Sequence, residues 1–244
     1  MRHVSDPFVS VIVPVLNDAD QLAGLLETLP ACDVSRSSEV IVVDGGADPA
    51  LEILRTKFPG ICWSAAVAGR GSQMNHGAGL ASGRWLWFVH ADARIPEEWD
   101  VEIARANAIP DVVAGSFRFA VNSSSWQARL LESGVAWRVR WLNLPFGDQG
   151  LFVRREVFEA LGGFRTWPLM EDVDFVRRLR RRGRLWHTDS PIRVSARRWR
   201  RDGWFVRSAS NVGLLMLYLA GVSPERLARF YHRDGVPSPD QRTL

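Results

Sequence analysis

His90 and Asp92 stand at the end of an apolar run, RWLWFVHAD, that occupies residues 84–92. A buried strand gains no stability from titratable groups at its tip, because a buried charge without a partner is costly. A carboxylate at such a tip can instead accept hydrogen bonds or hold a cation. We therefore expect Asp92 to face a ligand rather than the protein core.

A second acidic pair, Glu171 and Asp172, lies near the start of the segment MEDVDFVRRLRRRG, residues 170–183. The spacing of the apolar residues in this segment predicts a helix. Adjacent residues on a helix point about a third of a turn apart, so the two carboxylates cannot share one role. Carboxylates at such positions can exchange protons with a ligand. The alternative for Asp172 is an ordinary first-turn carboxylate, favoured there by the helix dipole.

Apolar strands alternate with helical segments through the first half of the chain. Strands are predicted within residues 8–14, 38–44, 61–67 and 84–90. Strands that are apolar on both faces and separated by helices indicate a parallel sheet covered on both sides. In such sheets ligands bind beyond the carboxyl ends of the strands, and Asp92 follows the fourth strand. The predicted architecture thus places Asp92 where a ligand would bind.

The alternation weakens after about residue 110. The sequence predicts a strand at 111–121, a helical segment at 123–144, a turn, short strand and helix within 146–164, a helix over 168–183 that Gly183 ends, a strand at 185–196 and a helix from Ser223. Residues 234–244 are expected to be frayed. We find no repeat and no linker, so we expect one domain over residues 1–244.

The positive charge of the chain is carried by arginine. The formal net charge is +4, and Lys57 is the only lysine among 31 basic residues. The arginines cluster after residue 176, where a solvated helix face is the simplest interpretation, although guanidinium groups also suit contacts with phosphate. No helix-turn-helix, zinc or RNA-binding motif accompanies the charge, so we expect no nucleic-acid partner.

The two cysteines, Cys32 and Cys62, are far apart and form no CxxC pattern. This spacing predicts neither a disulfide framework nor a zinc site. The start of the chain lacks the pattern of a signal peptide, and the apolar stretch at 212–222 is shorter than the roughly 20 residues that span a bilayer. Together these features predict a cytoplasmic protein.

Five motifs follow one another along the chain: VSVIVPVLNDADQL at 9–22, EVIVVDGG at 39–46, the lone Asp92, GGF at 162–164 and MEDVDF at 170–175. In this order and spacing they resemble the family-2 glycosyltransferases of the GT-A fold, over about residues 8–200. Strings such as GDQGLFVRR and GVSPERLAR look like a small soluble bacterial subgroup of that family. The resemblance implies an α/β fold with a mostly parallel central sheet and helices on both faces.

The resemblance also implies an activity. Such a protein would be an inverting glycosyltransferase, which moves a sugar from a nucleotide-diphosphate sugar to an acceptor hydroxyl with the help of Mn²⁺ or Mg²⁺. The nucleotide-binding half would be about 8–110, and the acceptor and catalytic half about 111–232. The sugar, the base and the acceptor are left open.

The donor base and ribose lie, in the family, against the end of the first strand, and an Asp after the second strand accepts a hydrogen bond from the base. The residues that match are Pro14, Val15, Leu16, Asn17, Asp18, Asp44, Gly45 and Gly46. The usual pattern continues with Ser, whereas this chain reads DGGADP. The alternative for Asn17 and Asp18 is an N-cap at a strand-to-helix turn.

The metal and the diphosphate are assigned by the same resemblance. Asp92 matches the last residue of the family's Asp-x-Asp motif, whereas His90 departs from the first. The alternative for Asp92 is a cap on a helix over 96–107. His187 lies near the place of an additional metal-binding histidine, although a lone histidine there is more often structural. The other donor residues implied are Arg70, Gln73, Asn75 and Ala91, with Met74 replacing an expected arginine.

The acceptor side is implied by the later motifs. By resemblance Asp172 is the general base that takes the proton of the acceptor hydroxyl, and Glu171 orients the acceptor. The remaining candidates are Asp148 and Gln149 in the GDQG turn, Arg197 or Arg198 for the diphosphate, and Trp199 near the acceptor.

Two other functions stay open for the chain. A nucleotidyltransferase would favour a glycine-rich basic signature directly after the first strand, which PVLNDAD lacks. A binding protein without turnover is the third possibility. The tail from Gly203 to His232 is predicted to dock on a membrane surface or to cover the acceptor site; the alternative is a core helix that closes the domain. The docking residues would be Trp204, Phe205, Leu214, Leu215, Leu217 and Tyr218, with Arg207, Arg226 and Arg229.

Overall fold

An eight-stranded sheet forms the centre of the protein. The computed structural model describes residues 7–29, 38–46 and 48–233, so the predicted frayed segment lies outside the described residues. The strands are β1 (Val9–Val15), β2 (Ser38–Asp44), β3 (Cys62–Ala65), β4 (Trp85–Phe88), β5 (Ala93–Arg94), β6 (Val112–Val121), β7 (Phe152–Arg154) and β8 (Arg184–Val194). They are ordered β3-β2-β1-β4-β7-β6-β8-β5 across the sheet.

Ten helices cover this sheet in the described part of the chain. They are α1 (Ala19–Thr28), α2 (Leu51–Lys57), α3 (Arg70–Leu80), α4 (Trp99–Ala108), α5 (Trp126–Leu142), α6 (Arg155–Ala160), α7 (Glu171–Leu179), α8 (Arg197–Asp202), α9 (Trp204–Leu219) and α10 (Pro224–Arg233). A short 3-10 helix at Gly147–Gln149 lies between α5 and β7.

Most strands of the sheet run in one direction. β1 pairs in parallel with β2 and β4, and β2 with β3. β7 is antiparallel to both β4 and β6, so β6 runs with β4, and β8 runs parallel to β6. Only β7 and β5 are reversed among these strands. The predicted mostly parallel sheet is therefore confirmed, and six strands end at the same edge.

Two hydrophobic cores lie on opposite faces of the sheet. Alternate residues of a strand point to opposite faces, and in β1 Val11 and Val13 belong to one core while Ile12 belongs to the other. The first core contains residues of α1, α2 and α4. The second contains residues of α3, α6, α7, α9 and α10. This explains why the strands read as apolar on both faces.

One local prediction needs correction. Gly183 does not end the helix of the acidic pair, because α7 already ends at Leu179, with Arg180 as its C-cap. Gly183 instead allows a close approach to β6, since a Cβ there would lie 2.5 Å from Cγ1 of Val113. The strand predicted at 185–196 is confirmed as β8, and His187 lies within it rather than at its end.

Gly77 and Gly79 on α3 provide a test of how closely this helix packs on the sheet. A Cβ on Gly77 would lie 2.6 Å from Cγ2 of Ile12 and 3.1 Å from Cγ2 of Val43, whereas Gly79 has nothing within 4 Å. We predict that Gly79→Ala raises the free energy of unfolding by up to about 1 kcal/mol, because alanine favours the helix. Gly77→Ala should be about 1–3 kcal/mol less stable than Gly79→Ala, because it overpacks the core. Urea denaturation measures both, and equal effects would contradict the packing described.

Candidate active site

A cavity of about 90 Å³ lies at the carboxyl edge of the sheet. Its walls come from the segments after β4 and at the end of β8, from the turn at 147–149, and from α8 and α9. The lining residues are His90, Asp92, Asp148, Val194, Ser195, Arg198, Trp199, Arg207 and Asn211. Candidates assigned separately to the metal, the diphosphate and the acceptor thus surround one cavity.

A larger cavity, of about 300 Å³, is lined by Ser82, Arg84, Arg154, Arg155, Glu156 and Glu159, none of which is a predicted site residue. Arg154 Nε donates to the carbonyl of Val112, and Arg155 Nε donates to that of Gly83. These arginines tie chain segments together at the amino end of β4. The smaller cavity is therefore the candidate site.

Asp92 does not cap the helix that follows it. β5 comes directly after Asp92 and pairs with β8, and α4 begins only at Trp99, with Glu98 as its N-cap. The carboxylate is half-buried and close to Asp18, whose Oδ2 lies 3.5 Å from Nη2 of Arg197. Burial raises the pKa of Asp18, Arg197 opposes the rise, and Asp92 adds to it. The capping alternative for Asp92 is thus excluded by position.

His90 lies beside this acidic group as a neutral imidazole. Burial, together with the positive charges of Arg70 and Arg198, lowers its pKa to about 3. A neutral imidazole keeps a lone pair that can accept a hydrogen bond or bind Mn²⁺. The substitution of His for the family's acidic residue therefore removes one negative charge from the strand tip.

Gly147 is the point at which three parts of the site meet. Its backbone N–H donates to Oδ2 of Asp172 at 2.7 Å, and the N–H of Val173 donates to Oδ1 at 2.7 Å. A Cβ on Gly147 would lie 3.2 Å from Oδ2 of Asp172 and 3.4 Å from Nε2 of His90. The segment after β4, the turn at 147–149 and the start of α7 are consequently in contact.

Glu171 is buried at the first position of α7. Its Oε1 has no hydrogen-bond partner and lies 3.4 Å from Nη1 of Arg70, whose side chain is 45% exposed. Burial raises the pKa of Glu171, the neighbouring Asp172 adds to the rise, and Arg70 opposes it. The preceding residue, Met170, has a left-handed backbone with φ of 67°. The arginine at the start of α3 is thus the counter-charge of this pair.

Asp148 has a buried carboxyl group that lies close to other carboxylates. Its Oδ1 is buried without a hydrogen-bond partner. The pKa of Asp148 is raised to about 6: burial is the largest cause, Arg138 and Arg70 oppose the rise, and Asp172 and Asp92 add to it. Arg138 on α5 is the largest opposing charge, and the sequence pattern gave no signal for it because the residue resembles any helical surface arginine.

Arg138 is fixed by the turn at 147–149. Its Nη2 donates to Oε1 of Gln149 at 3.0 Å, and its guanidinium stacks 3.4 Å from the ring centre of Phe146. Gln149 is itself buried and donates to the carbonyl of Phe117. Both Gln149 and Arg138 therefore position the turn, and Asp148 is the member of the GDQG turn that reaches the cavity.

The predicted base pocket lies at the ends of β1 and β2. The carboxylate of Asp44 is buried and accepts the N–H groups of Gly46 and Asp48. A Cβ on Gly46 would lie 2.7 Å from Oδ1 of Asn17, which has a left-handed backbone with φ of 50°. Pro14 and Leu16 are half-buried beside them. Asp18 occupies the N-cap position of α1 without capping it through its side chain.

Gln73 and Asn75 use their amide groups to hold backbone. Gln73 Nε2 donates to the carbonyls of Val15 and Val43, which ties the ends of β1 and β2. Asn75 exchanges two hydrogen bonds with the backbone of Phe164. Ala91 is buried in the first core. These three residues therefore shape the donor side, and direct contact with a ligand stays a prediction.

His187 has partners for both ring nitrogens. Nδ1 lies 2.9 Å from Oγ of Ser116, and Nε2 lies 2.7 Å from Oδ1 of Asn143. Burial lowers its pKa to about 4. It does not line the cavity that Asp92 lines. These contacts fit the structural alternative.

The segment around Arg198 and Trp199 completes the cavity. Trp199 is buried against Phe119, and its Nε1 has no hydrogen-bond partner. Arg207 and Asn211, one turn apart on α9, line the same cavity and were not predicted as site residues. In the sequence they lie within a mostly apolar segment, so only the packing of α9 shows that they face the site.

Comparison with known proteins identifies a family. The profile of glycosyl transferase family 2 matches residues 10–166, which is more than half of the chain. YibD, an uncharacterized glycosyltransferase of Escherichia coli, is 23% identical over 244 residues, covering 91% of this chain and 67% of the relative. A PGL/p-HBAD biosynthesis glycosyltransferase of Mycobacterium bovis is 26% identical over 182 residues, covering 69% and 68%. The chain spans about two thirds of the length of these relatives.

Solved structures share the fold. The mannosyltransferase PcManGT from Pyrobaculum calidifontis, in complex with GDP-Man and Mn²⁺, has a TM-score of 0.64 at 22% identity, covering 91% of this chain and 67% of that one. TarS 1-349 of S. aureus, in complex with UDP-GlcNAc, has a TM-score of 0.58 at 18% identity, covering 77% and 58%. At these identities the likeness establishes the fold alone, and the expected GT-A fold is confirmed.

The raised pKa of Asp148 predicts a pH-dependent gain in stability when its charge is removed. Because the folded pKa is about 6 and the ordinary value 3.8, the folded protein holds a proton that the unfolded chain releases between these values, so stability falls as the pH rises through this window. We predict that Asp148→Asn raises the free energy of unfolding by about 1–3 kcal/mol at pH 7.5 and by much less at pH 4. Urea denaturation at both pH values tests this, and an equal effect at both would contradict it.

Proposed function

Because the chain belongs to glycosyl transferase family 2, we propose that it is an inverting transferase that moves a sugar from a nucleotide-diphosphate sugar to an acceptor hydroxyl. The observation that carries this proposal is the meeting of Asp92, Asp148 and Asp172 with His90 at the carboxyl edge of the sheet. Three acidic side chains from distant parts of the sequence lie there, with Arg70, Arg138 and Arg198 as neighbouring positive charges. A hydrophobic cluster would stabilise the fold better than these charged groups do, so stability does not explain their presence.

The donor side is proposed at the ends of β1 and β2. The buried Asp44, the close backbone at Gly45 and Gly46, and the half-buried Pro14 and Leu16 form a surface suited to a base. Two structural neighbours bind GDP-Man and UDP-GlcNAc, which supports a nucleotide-sugar donor for this chain. Arg70 at the start of α3 and Arg198 at the cavity are the guanidinium groups suited to the diphosphate.

A divalent cation fits the residues at the cavity. Asp92 supplies a carboxylate, and Asp148 has a buried oxygen without a hydrogen-bond partner. The described residues contain no group of three or more His, Cys, Asp or Glu arranged to hold a metal, so the diphosphate and water would supply most ligands, as Mg²⁺ commonly accepts. When bound, Mn²⁺ or Mg²⁺ would neutralise charge on the leaving diphosphate.

Asp172 is proposed as the general base. Two backbone N–H groups fix its carboxylate beside Gly147, which orients the oxygens before an acceptor arrives. A fixed base loses little freedom when it takes the proton of the acceptor hydroxyl. Glu171 is buried against Arg70, so its proposed part is to orient the acceptor side through that ion pair. The acceptor oxygen would attack the anomeric carbon opposite the leaving diphosphate.

We predict that Asp172→Asn leaves the affinity for nucleotide near that of the wild type and lowers turnover about 10²- to 10⁴-fold, because it removes only the proton acceptor. Calorimetry with UDP or GDP measures the affinity, and release of nucleotide diphosphate from the donor measures turnover. Asp174→Asn is the control on the same helix, since the carboxylate of Asp174 pairs with Arg178, whereas that of Asp172 accepts the N–H of Gly147. If affinity and turnover fell together in Asp172→Asn, the residue would be a binding group instead.

We predict that Asp92→Asn weakens nucleotide binding at least about tenfold in the presence of Mn²⁺ and changes it little in its absence, because an amide is a poorer ligand than a carboxylate. Titration of UDP and GDP with and without the metal checks this. Asp189→Asn, at an exposed position of β8, serves as the control. An unchanged metal-dependent affinity in Asp92→Asn would remove the metal role from this residue.

A further inference from the structure

One face of α5 is exposed and aromatic. Trp126, Leu130, Trp137 and Trp141 follow a spacing of four, seven and four residues, so they lie on one side of the helix. Their exposed fractions are between 55% and 66%. Large apolar side chains at this exposure, in a row along a helix of 17 residues, indicate a surface that contacts an apolar partner.

One face of α9 has the same character. Phe205, Val206, Val212 and Met216 are between 60% and 69% exposed, and α9 contains no acidic residue. Its other face is buried and includes Arg207, Leu214 and Leu215. This corrects part of the expectation for the tail, because Arg207, Leu214 and Leu215 cannot reach a membrane surface. The helix divides into a buried face and an exposed apolar face.

The two helices form one surface. The rings of Trp126 and Phe205 lie 5.9 Å apart between centroids, which joins the start of α5 to the start of α9. We call this surface the aromatic face; it consists of Trp126, Leu130, Trp137, Trp141, Phe205, Val206, Val212 and Met216. No helix in the described ranges is long and apolar enough to cross a membrane.

Arginines border the aromatic face. Arg129 and Arg140 are exposed on α5, and the helix that precedes α9 carries four more, Arg197, Arg198, Arg200 and Arg201, all exposed. Three of these arginines pair with carboxylates: Arg129 with Glu132, Arg197 with Asp18, and Arg201 with Asp202. Six exposed arginines against three carboxylates leave an excess of positive charge. The border therefore presents positive charge.

We propose that the aromatic face docks the protein on an anionic lipid bilayer. Trp, Phe and Met side chains enter the boundary between headgroups and acyl chains, and bordering arginines pair with anionic headgroups, each worth about 1 kcal/mol. A second copy fits less well, because a twofold interface would set the arginine borders of the two copies near each other. Charge complementarity thus selects the lipid surface over self-association.

The position of the aromatic face has a consequence for the site. Arg207 and Asn211 line the candidate cavity from the buried side of the same helix whose exposed side belongs to the aromatic face. A helix is about 10 Å across, so docking would bring the cavity within about that distance of the lipid headgroups. If the proposed sugar transfer holds, this geometry favours an acceptor at the membrane surface; the docking itself does not depend on it.

The test is co-sedimentation of the full chain with vesicles. Vesicles of equal parts phosphatidylglycerol and phosphatidylcholine are compared with vesicles of phosphatidylcholine alone, each at about 0.05 M and about 0.5 M salt. We expect binding to the anionic vesicles that weakens with salt. The double variants W137Q/W141Q and F205Q/M216Q should each lower the partition coefficient at least about tenfold, because they remove apolar area at the interface. Ile53→Gln, an exposed apolar residue on α2, is the matched control and should bind as the wild type does.

The proposal would be overturned if the protein bound neither kind of vesicle, or if both double variants bound the anionic vesicles as the wild type does. Light scattering of the same proteins measures whether the chain forms a dimer. A dimer that dissociates in the double variants would assign the aromatic face to a second copy and would equally overturn lipid docking. Release of nucleotide diphosphate, measured without vesicles, reports separately on the proposed sugar transfer.

Discussion

The hydrogen bond from the N–H of Gly147 to the carboxylate of Asp172 is the contact on which the site depends. It joins the turn at 147–149 to α7, and the lack of a side chain at Gly147 lets His90 approach the same point. The core already packs α7 against β4, since the ring of Phe164 contacts both Phe88 and Phe175. The hydrogen bond adds the contact between the turn and the carboxylate, so one glycine lies between His90 at the strand tip and the proposed base.

The second constraint is the excess of buried negative charge around this bond. Burial raises the pKa of Asp148 and Glu171, and Arg138 and Arg70 offset only part of the cost. A folded protein tolerates such a cost where the groups serve a ligand, because functional sites often conflict with stability. A bound cation would relieve the repulsion among these carboxylates. The buried Oδ1 of Asp148, which has no hydrogen-bond partner, shows most clearly that the protein alone does not satisfy these carboxylates.

The sequence predicted the strands other than β5, most helices but not α8, and the edge at which Asp92 lies, because apolar periodicity and strand ends are local signals. The resemblance added Asp148 and Asp172, which the fold brings to the same place. Arg138, Arg207 and Asn211 escaped prediction, since a side chain on a helix faces the site only once the packing of that helix is known. The same limit applies to His187, whose partners lie 44 and 71 residues away in the chain.

The central claim is that this cavity serves the transfer of a sugar from a nucleotide-diphosphate donor. Incubation with a panel of nucleotide sugars and Mn²⁺, followed by identification of the released nucleotide, tests it most directly. We expect that at least one donor releases its nucleotide diphosphate, and that chelation of the metal lowers the release. Release of nucleotide monophosphate, or the absence of any release across the panel although the nucleotides bind, would contradict it.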